Sequence, residues 1–238
     1  MHASSLHPKY IGGTAVRDPV TKSDQAYQAL RRGIVVGEIR ANAPLDEADL
    51  MRRFDTGRTP IREALKRLAL EQFVVWPPRR TAYVREVGPF EMGRLYESRL
   101  VLEEPVSRLA AERITDAELA ELDGMCAELE RAAEAGEVYE AVELDHRLHL
   151  AIAHGSDNRF LAEAVGNLNC GSLRLWYVAH KVLGLEGVPD DHRRIVESLR
   201  SRDPERAAAE ARRHVFVSQE RQLRLQALKP EQAPSTAL

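Results

Sequence analysis

Apolar positions along the chain fall into two regimes. Between residues 22 and 88 they form short helical stripes followed by two β-type runs. From residue 89 to about 228 they keep helical spacing almost without a break. After Ser23, which can cap a first helix, Tyr27, Leu30 and Ile34 recur at intervals of three and four. DEADLMRRF (46–54) predicts a second, shorter helix. In a third stretch Ile61, Ala64, Leu65 and Leu68 stand at i, i+3, i+4 and i+7, one apolar stripe with Arg62, Lys66 and Arg67 off it. FVVW, PPRRT and AYVREV follow: two β-type runs about a Pro- and Arg-rich turn, which predicts a hairpin. Three helices and a hairpin within residues 22–88 are the layout of a winged helix-turn-helix.

Downstream, Thr115 and Glu118 make a capping box, Asp157 can cap the helix of FLAEAVGNL, and Asp203-Pro204 places a cap and a first-turn proline before ERAAAEARRHVFV. The spacing predicts about six helices with short joints across 89–228, an antiparallel bundle. Residues 1–21 and 229–238 show no period, and we read them as a mobile arm and a disordered tail. The expected fold class is therefore mainly α, a winged helix-turn-helix joined to an all-α bundle. The joint around REVGPFEM is short, so a shift in the first bundle helix should be felt by the wing.

Composition narrows the class. Charged residues make up 30% and hydrophobic ones 44%, as in globular proteins with real cores, while aromatics are only 5% and Ala, Leu, Glu and Arg favour helices. No run of about 18 apolar residues exists, so no membrane partner is expected. The N-terminal MHASSLHPKYIGGTAV lacks the pattern of a secretory leader. Cys126 and Cys170 stand far apart with no metal-finger spacing, which fits a reducing, cytoplasmic home. The net charge of −3 hides an asymmetry: residues 22–88 hold 13 Lys and Arg against 9 Asp and Glu, residues 89–238 hold 19 against 27. A basic module on an acidic body suggests a polyanion reader on a differently employed domain.

Within TGRTPIREALKRL (56–68), Thr59 offers a cap oxygen and Pro60 a first helical residue, which puts Arg58 and Arg62 at the positive end of the helix macrodipole. Cations there cost about 0.3–1 kcal/mol each at low salt. A recognition helix accounts for that cost, because its first residues face the groove floor, where the guanidinium fork matches guanine O6 and N7. Arg52, Arg53, Lys66, Arg79 and Arg80 then become candidate phosphate or minor-groove contacts. An ordinary solvated helix with an Arg62–Lys66 repulsion fits the charge pattern equally well.

In the bundle, Asp145 and His149 lie four apart on one helix, His192 begins another, and His214 lies on the last. A carboxylate and three imidazoles from three helices could close around a divalent cation, and a nitrogen-rich, thiol-free set favours zinc or nickel. On spacing alone, hydrogen-bonded structural histidines remain an open alternative.

RTPIREALKRL (58–68), with the hairpin behind it and with Leu45, Glu47 and Leu50 in register, resembles the GntR family of bacterial transcription regulators. The resemblance implies that Arg58, Thr59 and Arg62 contact an operator and that the wing tip near Arg80 and Thr81 enters a minor groove. Four departures bear on this: Gly57 replaces a usual serine, Asn42 a usual glycine, Gln72 and Thr81 replace wing glycines, and Ala48 stands where some relatives carry arginine. YESRLVLEEPVSRLAAERIT, LDHRLHLAIAHGSDNRFL and the late RRH are similar to the FCD ligand-binding domain of the FadR branch. Metal-binding members of that branch use an Asp-x-x-x-His pair and two later histidines, which Asp145, His149, His192 and His214 match. In such relatives the ion helps hold a small carboxylate effector, and Arg99 is the candidate partner for that carboxylate; a surface ion pair with Glu103, four residues on, is the open alternative. His146, His154 and His180 are read as structural or exposed.

The favoured function is a metabolite-responsive repressor, a homodimer on a palindromic operator in double-stranded DNA, and not an enzyme. A metal-dependent enzyme and a purely structural metal domain are the alternatives.

Overall fold

In the structure, a computed structural model that describes residues 21–228, the chain runs α1 (Lys22–Val35), β1 (Pro44–Leu45), α2 (Glu47–Arg53), α3 (Arg58–Leu70), β2 (Val74–Val75) and β3 (Ala82–Val84). Six helices follow: α4 (Pro89–Arg113), α5 (Asp116–Glu134), α6 (Val138–Gly155), α7 (Arg159–Leu183), α8 (Val188–Arg200) and α9 (Pro204–Ala227). The arm (save Thr21) and the tail lie outside the described residues. The fold class is the expected one, with one addition. The hairpin β2–β3 gains β1 as a third antiparallel strand in the order β1-β3-β2, with Leu45 opposite Ala82 and Val74 opposite Val84.

Caps set the helix starts, and three of them differ from the sequence reading. Thr21, not Ser23, caps α1, in a reciprocal box with Asp24. Asn158, not Asp157, caps α7, while Asp157 adopts a left-handed φ of 48°. For α3 the cap position is Gly57 and no side chain caps it, so Thr59 and Pro60 are its second and third helical residues. In each case the cap is the residue whose backbone is still extended, and candidate oxygens close by lose to that geometry. Thr115 and Asp203 cap α5 and α9 as read. Asn42 and Gln72, which stand at usual glycine positions, take φ values of 62° and 66°. Asn tolerates that left-handed region, while for Gln72 it costs about 1–2 kcal/mol.

Leu30 and Ile34 of α1 meet Ile61, Leu65 and Leu68 of α3, all at most 2% exposed, and each such burial contributes about 1.5–3 kcal/mol. This core continues into the bundle through Val142 of α6 and Cys170, Leu173 and Trp176 of α7. At the same junction Arg31 of α1 donates to Glu143 of α6, and Arg174 Nη1 donates to the Ile39 carbonyl at 3.4 Å. The two modules thus meet through α1, α6 and α7 in addition to their covalent joint. A second core unites α5, α6 and α8 around Leu122, Leu129, Leu148 and Leu199.

Candidate nucleic-acid interface and metal centre

The stripe that buries Ile61, Ala64, Leu65 and Leu68 turns the other side of α3 outward. Arg58, Thr59, Arg62 and Lys66 are all exposed there, as are Arg52 and Arg53 at the end of α2 and Arg80 and Thr81 between the wing strands. With no side-chain cap, the first N–H groups of α3 are left to solvent or to a phosphate. Glu47, at the start of α2, gathers the two arginines: its carboxylate lies 3.0 Å from Arg62 Nη1 and 3.5 Å from Arg58 Nε. Arg62 also lies 5.0 Å from the centre of the Trp76 ring. The like charges at the head of the helix are therefore offset by one carboxylate. Sequence reading placed Glu47 in register without seeing this task, because the contact spans two helices.

The bundle brings together the four polar residues singled out from its sequence. Asp145 and His149 project from α6, His192 from the first turns of α8 and His214 from α9, and none is more than 6% exposed. His149 Nε2 is 3.1 Å from His214 Nε2 and 3.4 Å from Asp145 Oδ1, and His192 Nε2 is 3.4 Å from Asp145 Oδ2. One ligand atom from each of the three histidines falls within 4.8 Å of the others. Neither Asp145 Oδ1 nor His192 Nε2 has a hydrogen-bonding partner among the described residues. Burial opposes charge on Asp145, yet His192 and then His149 and His214 outweigh it and hold its carboxyl below the usual range. Burial opposes charge on His192 too, but Asp145 raises its pKa, whereas burial and the neighbouring imidazoles push His214 well down.

These distances fit an ion. Two ligand atoms about 2.1 Å from one metal and about 90–110° apart lie about 3.0–3.4 Å from each other. Three separations, 3.1, 3.4 and 3.4 Å, match that range, while the histidine atoms as a set lie within 4.8 Å and would draw together around an ion. Facing nitrogen lone pairs repel at such range unless a proton or a cation lies between them, and one cation would satisfy all four side chains together. His192 presents Nε2 because its Nδ1 is tied to the Val188 carbonyl at 2.8 Å.

Arg99 sits beside the centre but not at its surface. It is fully buried, with Tyr96 and Trp176 rings 5.3 and 4.8 Å from the guanidinium, and its fork meets Glu103 at 2.6 and 3.3 Å. The expected i, i+4 relation to Glu103 holds, and burial turns it into an interior pair. His146, buried 3.7 Å from Cys170 Sγ, has its pKa lowered to about 3 by burial and then by Arg31. His180 is buried and lowered to about 4, chiefly by burial, and His154 is exposed. None of these three joins the histidine cluster.

Comparison with known proteins places both modules. Residues 94–216, more than half of the chain, match the FCD domain, and residues 22–84 match the bacterial regulatory proteins of the gntR family. The HTH-type transcriptional regulator McbR of Escherichia coli K12 is 29% identical over 156 residues, which cover 66% of this chain and 71% of McbR. The HTH-type transcriptional repressor RspR of the same organism is 28% identical over 182 residues, 76% of this chain and 80% of RspR. The solved structure of E. coli McbR/YncC shares the fold, with a TM-score of 0.73 at 22% identity over 87% of this chain and 100% of that one. These families and relatives are transcriptional regulators, not enzymes. The chain belongs to the GntR family of bacterial transcriptional regulators and carries an FCD domain behind its winged helix-turn-helix.

Proposed function

We propose that this regulator is a metabolite-responsive repressor of the FadR branch, working in the bacterial cytoplasm. It binds a palindromic operator as a homodimer, and a small carboxylate held at a divalent metal in the bundle releases it. The observation that carries this reading is the convergence of three imidazoles and a carboxylate at ion-sharing distances in a chain that also exposes arginines at a recognition helix. Asp145, His149, His192 and His214 would hold the ion, zinc or nickel by donor chemistry. When bound, the ion supplies a Lewis-acidic point for an anionic ligand. Arg99 is the basic group beside it.

A reader of two half-sites needs its recognition helices about 34 Å apart, so small reorientations matter. An effector alters operator affinity only as far as it binds the two arrangements differently. We place the coupling on α6, which carries Asp145 and His149 and also Glu143, the partner of Arg31 in α1. The decisive experiment is an operator-binding titration against hydroxy-, keto- and dicarboxylic acids, with and without metal. Release by a carboxylate that disappears on chelation supports the reading; identical responses with and without the ion refute it. Glu143→Gln removes the charge facing Arg31 and should weaken effector-driven release severalfold while the ion still binds. Unaltered release would take the coupling off α6.

A second reading, an ion with only a structural task, is favoured by one observation. The Arg99 fork is already engaged by Glu103, so an incoming carboxylate must compete for it. Under that reading chelation lowers stability and no acid changes DNA affinity.

A further inference from the structure

Glu103 belongs to no expected ligand set, yet its Oε2 lies 3.3 Å from His149 Nδ1, both side chains under 10% exposed. The two nitrogens of an imidazole face opposite sides of the ring. Nδ1 meets Glu103, while Nε2 points at Asp145 and His214. Glu103 therefore cannot reach the ion that Nε2 would bind, and its influence must pass through the ring.

A neutral imidazole has one N–H and one lone pair, so the partner of one nitrogen decides the task of the other. An ionised carboxylate only accepts. The Arg99 fork donates to both Glu103 oxygens, Nε to Oε1 at 2.6 Å and Nη2 to Oε2 at 3.3 Å, and the carboxylate so held faces His149 as an acceptor. Facing such an acceptor, His149 Nδ1 keeps its hydrogen and Nε2 is left with the lone pair a metal needs. His192 reaches the same end through the Val188 carbonyl. His214 does not, since its Nδ1 has no hydrogen-bonding partner among the described residues. Of the three ring orientations, that of His149 alone is set by a charged group.

We propose that Glu103, held by the Arg99 fork, is the positioning residue of the metal centre, fixing the tautomer and angle of His149. This rests on the metal reading above. It also gives Arg99 a task other than effector capture: its fork holds the Glu103 carboxylate in place.

The test is zinc affinity, measured by competition with a chromophoric chelator on the full-length protein, beside the melting temperature of the metal-free form. Removing Glu103 alone strands a buried guanidinium. The main variant is therefore the double replacement Arg99→Met/Glu103→Leu, which leaves no lone charge. Zinc affinity should fall about 10–100-fold, the usual effect of losing a partner that orients a ligand, with the metal-free melting temperature close to wild type. Glu103→Gln keeps the shape and one acceptor oxygen but not the charge, and should fall between; it serves if the double variant does not fold. Ser218→Ala removes the other partner of Arg99, at 3.3 Å, and should leave zinc affinity unchanged. Affinity within threefold of wild type in the double variant, or in Glu103→Gln if that alone folds, overturns the positioning role. An equal loss in Ser218→Ala also overturns it. A wild-type protein that takes up no zinc overturns the metal reading itself, a separable result.

Discussion

At the head of α3 the side chains of Arg58 and Arg62 are 72% and 47% exposed, whereas Asp145, His149, His192 and His214 are between 1% and 6% exposed. Both groups concentrate polar chemistry on helices, under opposite solvent conditions. Water and salt screen the arginines, and Glu47 offsets them. The buried cluster has no such relief. Glu103 and the Val188 carbonyl take the Nδ1 atoms of His149 and His192, but the groups that face inward are met only by each other, by shared protons or by an ion. The surface arginines can therefore be altered residue by residue, while the interior cluster responds as a unit.

Ion removal is the most severe test of that contrast. An ion that binds only the folded chain stabilises it by about 4 kcal/mol at 1,000 times its dissociation constant. Chelation, or His192→Ala, should therefore lower the melting temperature by many degrees. A calorimetric scan unchanged by chelator would erase the distinction between the two regions.

A smaller effect is expected at the surface. Arg58→Ala or Arg62→Ala should weaken operator binding by about 1–3 kcal/mol while random DNA is held nearly as well and the melting temperature barely moves. Equal losses on operator and random duplexes would make them phosphate contacts instead of base readers. Smallest of all is Lys66→Ala. It should weaken binding to every sequence alike and reduce the slope of log affinity against log salt by about one. A sequence-selective loss would move Lys66 into the group that reads bases.

Much of the first region was legible along the chain because its determinants are local. The stripe from Ile61 to Leu68 needs only helical periodicity, and the eight residues from Arg58 to Leu65 carry their family likeness without a gap. The misplaced starts at Ser23, Thr59 and Asp157 share one cause. Several side chains near a helix end can accept a hydrogen bond, and the backbone dihedral of each candidate decides among them. The candidate metal centre was legible only in part. Asp145 and His149 are paired by spacing, but their meeting with His192 and His214 is a matter of how α6, α8 and α9 pack.

The sequence by itself determined which stretches become helices, which face of α3 turns inward, and which residue types are available for ion and DNA. Those properties follow from periodicity, charge and capping chemistry within a few residues. Only the tertiary structure decided that Arg99 is interior, held between Tyr96 and Trp176, and that Glu103 faces His149 as well as Arg99. It likewise decided that Glu47 gathers Arg58 and Arg62 and that Arg31 meets Glu143 across the two modules. Each of these depends on which helices are neighbours and at what height. Packing of whole apolar faces sets that arrangement, and no window of the chain contains it.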